Sequence, residues 1–446
     1  MKKDKKQISV NKIEIGDNAE PIIVPASEKD ISEEIVHDKK VVEQYEAEHS
    51  IGKQLKMSSV FVEDKSIEKR QLILKRVVTI LFFIVVFGVL AYTFYDDFLA
   101  NPEPVSWTAI FKVLGKNWYY GVFALVSLAL CYLFKGTKMS ILCKTATGKW
   151  HFNTCMQTGV VGHYYNYVTP LAVGGQPFEI YHLSKHGVTG GAALSLPVVT
   201  YFMHQVVFVI LGVISLVLFS IDAFMIVENF KDVAGAISLL YAMAIIGLGL
   251  CLLTPVGVLL FCSFPNFASK VVGWAIRLGG KLRFIKDVKG TTEKTVKNLE
   301  MNAKCIKKIS RTPLAFWSSI TISILEHLAL CSIAYFALKL FGYDLAPNPN
   351  GMLEWVCVIV LSMIIYSAVS FIPTPGNAGA ADLSFFALFK SCILPCVSVA
   401  GISFIAMVFW RILSYYAFII IGFVLLRRWK KKDRKNQEKN LIDETI

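Results

Sequence analysis

Charged side chains are scarce in the apolar runs of this chain, so those that do occur there are candidates for chemistry. Arg411 lies near the middle of the run 398–426, and Glu326-His327 near the middle of 314–341. A charge at the centre of a bilayer costs roughly 2.5–3.5 kcal/mol on insertion scales, so such groups face a partner or a wet cavity. The planar guanidinium fork of Arg411 suits a phosphate, to which it can give two parallel hydrogen bonds. Its candidate partners are Glu326, Asp382 or a substrate phosphate. The plainer reading is a buried arginine–acid pair that only fixes helix packing.

Two other stretches carry matching patterns, VTPLAVGGQPFE (168–179) and IPTPGNAGAAD (372–382). Each has a proline, then small residues, then an acid nine positions after the first proline: Pro170 to Glu179, and Pro373 to Asp382. Proline and glycine break helices and free backbone polar groups, which membrane depth tolerates only inside protein or beside water. Paired Gly/Pro-interrupted segments point to an inverted-repeat transporter and its site. Gly174 and Gly175 would let backbone amides approach an anion at the start of a half-helix. His163, Tyr164, Asn166 and Tyr167 precede the first tip, where they could hydrogen-bond a head group or form an interfacial belt. His182 and His186 stand four apart, with no third ligand in sequence; no metal or cofactor is expected.

The elements that must position these residues follow from composition. The chain has 446 residues, 54% of them apolar and 18% charged, with mean hydropathy +0.53. A soluble fold cannot cover that much apolar surface. A soluble enzyme, a disulfide scaffold and a disordered chain are excluded, and an all-α polytopic membrane protein remains. The ten cysteines are scattered, without metal-ligand spacing, and read as small buried hydrophobes. Walker, Rossmann, GxSxG and kinase motifs are absent, against ATP-driven transport within this chain.

Apolar runs mark spans near 77–95, 117–135, 192–220, 233–262, 314–341 and 398–426, with a further run at 353–372. The second span is expected to end at Lys135 and Lys138, and DDFLANPEPVSW to be an outer loop. Residues 1–74 have no signal peptide and read as a cytosolic, largely disordered tail; 75–430 form the membrane domain and 431–446 a basic cytosolic tail. The segment 263–312 holds 12 Lys/Arg against 3 Asp/Glu, so the positive-inside rule makes it cytoplasmic and removes any need for a nucleic-acid partner. Val296, Leu299, Ala303, Ile306 and Ile309 within it recur at helical spacing, as in an amphipathic helix on an anionic leaflet. Keeping that loop and both termini cytoplasmic requires 151–187 to enter and return on one side, and 353–396 on the other. The expected architecture is six full spans plus two broken, re-entrant helix pairs arranged as inverted repeats.

GGQPFEIYHLSKHGV, PTPGNAGAADLSFFALF and FWRILSYYAFIIIG together resemble the membrane domain of the bacterial lysylphosphatidylglycerol synthase/flippase family, the multiple peptide resistance factor, over about residues 75–430. The resemblance implies a multi-pass inner-membrane protein that moves a phospholipid between leaflets, such as phosphatidylglycerol or its lysyl derivative, and so affects envelope charge and resistance to cationic peptides. Relatives add a soluble aminoacyl-tRNA-dependent domain for which the polar residues after the last span leave no room, so aminoacyl transfer is not expected from this chain. Relatives also resemble PTPGGSG-then-Glu where Asn377 and Asp382 stand here. Carried over, the cavity residues are Gly174, Gly175, Gln176 and Glu179 in the first tip, and Pro375, Gly376, Gly379 and Asp382 in the second. Arg411, Glu326, Asn166 and Tyr167 complete the set. The expected partners are membrane phospholipids; a separate lipid synthase and a homo-oligomer stay open. So does a membrane-embedded transferase, in which Glu179, Asp382 and His163 would serve as acid/base groups.

Overall fold

The structure, a computed structural model, describes residues 65–100, 105–169, 174–188, 190–221, 234–264, 306–309, 311–344, 351–392, 394–395 and 399–445, with isolated positions between 270 and 277. Residues 1–64, Pro170 and most of the basic loop lie outside these, and with them Val296, Leu299 and Ala303.

The described residues are almost entirely helical. The helices are α1 (Lys65–Phe94), α2 (Trp107–Thr147), α3 (Phe152–Val168), α4 (Gly175–Lys185), α5 (Gly190–Ser220), α6 (Ala234–Ser263), α7 (Pro313–Leu340), α8 (Gly351–Val369), α9 (Ala380–Cys392), α10 (Ile402–Arg411) and α11 (Ala417–Thr445). A two-residue ladder pairs Tyr343–Asp344 with Leu394–Pro395. Five stretches are long and apolar enough to cross a membrane: 107–147, 191–220, 237–260, 313–340 and 402–432. The apolar run from Val77 lies on α1, also helical, so every run expected to be a full span is a helix. The protein is an all-α polytopic membrane protein. Large apolar side chains such as Phe111, Trp118, Ile246 and Leu253 stay exposed on its outside, as hydrocarbon rather than water would demand.

The centre is α7. Half of its apolar stretch is buried, against 22% for α6, so α7 is the core helix and α6 lies at the periphery. Its longest packing partner is α2. Ile333 on α7, Leu361 on α8, Phe385 on α9, Trp410 on α10 and Phe418 on α11 meet in one apolar cluster, in which the Phe385 and Trp410 rings stack 4.2 Å apart.

Both interrupted segments fold as helix pairs. In the first, three contacts step backwards along α3 as α4 advances: Asn166 with Gly175, Gly162 against Glu179, and Thr158 with His182. That pattern is an antiparallel hairpin. In the second, α8 and α9 pack together, joined by a 3-10 turn at Pro375–Asn377.

Several expectations are corrected. α2 does not end at Lys135 or Lys138; it runs on to Thr147, where Gly148 closes it in a left-handed conformation (φ 79°). Both lysines are buried inside the protein, and the physical reason is that each has a carboxylate partner (below). The stretch expected as an outer loop begins as helix: Tyr95–Leu99 forms a π-turn whose buried Asp97 accepts the Phe404 amide at 2.8 Å, holding the start of α10. Ile309 is buried against Met139 and Leu142 of α2 rather than laid on a leaflet, and Lys308 donates to the Ala146 carbonyl at 3.0 Å. α11 continues as helix through the polar tail to Thr445.

Candidate functional site

Between the two hairpins lies a cavity of about 280 Å³. Of the residues selected from sequence, Asn166, Tyr167, Gln176, Glu179, Glu326, Gly376 and Arg411 line it. Asp382 stands behind Arg411, while Gly174, Gly175, Pro375 and Gly379 shape the tips without forming the wall. His163 also lines the cavity.

Three buried ion pairs bound the space. Lys135 meets Glu179 at 3.0 Å, Lys138 meets Glu326 at 2.7 Å, and Arg411 Nε meets Asp382 Oδ1 at 2.9 Å. The Nε–H of Arg411 does not point along that last line, so the contact is an ion pair without a linear hydrogen bond. Removing one partner of a buried pair leaves an uncompensated charge, which is far costlier than never burying the pair. Each acid therefore holds its cation, and each cation its helix. Through these pairs α2 is tied to α4 and to α7, and α10 to α9.

The described part of the first tip is held by side chains that precede it. The Gly174 amide donates to Thr169 Oγ1 at 2.9 Å, and the Gly175 amide to Asn166 Oδ1 at 2.8 Å. The two amides expected to receive an anion are thus already engaged by α3, which caps the start of α4 from outside it. Gly162 sits where a Cβ would overlap Glu179 Oε1, so only glycine lets the carboxylate reach Lys135.

The second tip is held by other means. Gly376 and Asn377 both adopt left-handed backbone (φ 57° and 54°). Any Cβ at Gly376 would also run into the Tyr415 ring. Asparagine is among the few side chains that tolerate this region, which accounts for Asn377 where a glycine would otherwise be expected. The turn leaves the Gly376 carbonyl pointing at Arg411 Nη2, 2.8 Å away. Asp382 uses its other oxygen to accept the Gly379 amide at 2.8 Å, reaching back to cap its own helix. Arg411 also lies 4.6 Å from the Tyr415 ring centre. Immediately after it, Ile412–Tyr416 forms a π-turn, a distortion that recurs at functional sites. Among the described residues Arg411 Nη1 has no hydrogen-bond partner.

The sequence reading missed Lys135, Lys138 and His204 as wall residues. His204 lies 3.7 Å from Glu326 and stacks on His327 with ring centres 4.1 Å apart. Its signal was available: a His-Gln pair in the middle of a long apolar run. The lysines were legible as charges, but not as interior ones. His182 and His186 face each other at 4.1 Å with His182 Nδ1 on Thr158. Among the described residues no group of His, Cys, Asp and Glu is arranged to hold a metal. His163 Nε2, His327 Nε2, Thr200 Oγ1 and Ser414 Oγ, all on the wall, have no protein partner among the described residues. Polar atoms of this kind are satisfied by water or a polar guest.

A bundle of apolar helices around a polar, ion-paired chamber, flanked by two broken helix pairs, defines a multi-pass membrane protein. The chain belongs to the family described as the lysylphosphatidylglycerol synthase TM region, whose model matches residues 76–422. That family ties the protein to membrane lipids. No curated protein matches the chain.

Proposed function

We propose that the protein carries the phosphate-bearing head group of a membrane phospholipid, such as phosphatidylglycerol or its lysyl derivative, between leaflets. The head group occupies the chamber while the acyl tails stay in the bilayer. One observation carries this reading: Arg411 faces the chamber between the two hairpins with Nη1 unpartnered, while its other nitrogens hold the second tip. The chamber, about 280 Å³, sits near the roughly 300 Å³ lower end of ligand sites, a size for a head group rather than a whole lipid. A phosphate on Arg411 meets the free Nη1, while Asp382 stays buried on the same guanidinium, so the added negative charge needs one further positive charge on the wall. Asn166, Gln176 and Asn377 offer neutral donors and acceptors to head-group hydroxyls. In a bacterial inner membrane such movement shifts outer-leaflet charge and with it sensitivity to cationic peptides.

The test is purified full-length protein in liposomes carrying fluorescent phosphatidylglycerol, with outer-leaflet label destroyed chemically. Label becoming accessible at unchanged lipid mass is the expected result. A new lipid species would instead identify a transferase, and label that stays put would overturn transport.

A further inference from the structure

The head-group reading uses Arg411 and the tips, but leaves a second titratable cluster on the same wall without a role. Glu326 and His327 of α7, Lys138 of α2 and His204 of α5 meet near the middle of the membrane-spanning helices α5 and α7. A neutral Lys138–Glu326 pair would be enough to join α2 to α7. His204 stands 3.7 Å from the same carboxylate, a contact that becomes an ion pair only when its ring is protonated.

The tautomer of His327 is set by its surroundings. Its Nδ1 lies 2.8 Å from the Ser323 carbonyl oxygen, which can only accept, so in the neutral ring Nδ1 carries the hydrogen. Nε2 is then a bare lone pair. It is buried and has no protein partner among the described residues, and the residue lines the chamber. His204 stacks on it and lies within ion-pair distance of Glu326. Two imidazoles that can accept a proton thus stand together beside one carboxylate.

Among the described residues, the charged and titratable groups on this wall are Lys135, Lys138 and Cys131 of α2, His163 and Tyr167 of α3, Glu179 of α4, Tyr201 of α5, Cys251 of α6, Glu326 and Cys331 of α7, and Tyr366 of α8. Arg411 completes the wall, with Asp382 paired behind it. With the histidines neutral, the three ion pairs cancel and the wall carries no net charge. A phosphodiester anion entering it would then place one uncompensated negative charge at membrane depth, which is costly. One proton on the histidine pair removes that charge.

We infer that His204 and His327, beside Glu326, form a proton site that is loaded together with an anionic phosphodiester head group, so that lipid and proton cross as one electroneutral unit. This rests on the head-group reading above and adds its coupling ion and the charge class of its substrate. At one proton per lipid, a pH gradient of about one unit sustains a roughly tenfold leaflet asymmetry.

The experiment uses the full chain in liposomes with fluorescent phosphatidylglycerol and a pH-sensitive dye inside. An imposed pH gradient should drive label to the alkaline leaflet, with acidification of the alkaline lumen in step with the lipid. A potassium-valinomycin potential without a pH gradient should drive none. His204→Gln and His327→Gln, each checked for monodisperse, membrane-inserted protein, should bring the ratio of rates with and without the gradient down to one. Label that crosses at the same rate with or without the gradient, or that follows the potential, overturns the proton site and leaves the transport reading standing. Label that does not cross in any condition overturns both. A pH response unchanged in both variants also overturns the assignment to these histidines.

Discussion

The two hairpins do the same topological work with opposite wiring. In the first, the turn's amides are bound by Thr169 and Asn166 of its own outgoing helix, and one ion pair, Glu179 with Lys135, fastens it to α2. In the second, a backbone carbonyl and the acid both converge on one side chain of another helix, Arg411. The described turn amides of the first are satisfied without a guest. The second is tied through the very group that a phosphate would take, so it is the half that can respond to a head group. On the head-group proposal a single arginine both meets the ligand and holds the tip, so the two roles compete.

Arg411→Gln should have the largest effect. It frees the second tip and leaves Asp382 buried without its cation, for a stability loss of about 3–5 kcal/mol, read by thermal unfolding in detergent, and transport at background. Arg411→Lys keeps the charge but not the fork, so abundance should hold while transport drops about tenfold or more, the factor of a lost ~1.4 kcal/mol. Abundance falling in step with transport would mean that the arginine only packs helices.

The next comparison removes a whole pair from each side. Glu179→Leu with Lys135→Met should unfold near the parent temperature, because an apolar pair of similar volume replaces a buried ion pair at little cost. It should also show measurable transport, whereas either single change is destabilising. Asp382→Leu with Arg411→Met should likewise recover stability but leave transport at background. Equal transport from the two double variants would abolish the distinction between the hairpins.

Much of this arrangement was legible in the chain. Long apolar runs gave the spans, because length and hydropathy alone decide them. The proline–glycine stretches and the acids nine residues beyond gave both hairpins, and Arg411 stood out as a cation in an apolar run. Partner choice was not legible. Glu326 and Asp382 were equal candidates for Arg411, and only the fold sends Glu326 to Lys138. Lys135 and Lys138 resemble span-ending cations because a lysine near the end of an apolar run looks the same whether water or a carboxylate receives it. The glycine amides misled for a related reason: glycine advertises accessible backbone, but not the Thr169 and Asn166 side chains that consume it. The π-turn after Arg411 has no local signal at all.

Glycine substitutions sharpen the contrast with a smaller effect. At Gly162 an added methyl meets Glu179 Oε1 and comes within 2.6 Å of both that carboxyl carbon and Lys135 Nζ. Gly162→Ala should therefore cost about 1–3 kcal/mol through overpacking, and weaken the ion pair that ties the first hairpin to α2. Full stability in that variant would show that the Lys135–Glu179 contact is dispensable.

The smallest expected effect lies at Asn377, and its sign is what informs. The residue holds φ 54° with Gly376 beside it at 57°, so two successive positions of the second tip carry left-handed backbone. A side chain there costs roughly 1–2 kcal/mol, less for asparagine than for most. Asn377→Gly should therefore be neutral or stabilising by a few tenths to ~1 kcal/mol in thermal unfolding, whereas Asn377→Ala should lose about as much. The chamber reads the same pair differently. Asn377 lines it, so on the head-group proposal both variants lose a wall amide, and both should transport more slowly whatever their stability. If Asn377→Gly were more stable and also faster, asparagine would be only a tolerated stand-in for glycine, and the second tip would recognise its guest through Arg411 and backbone alone.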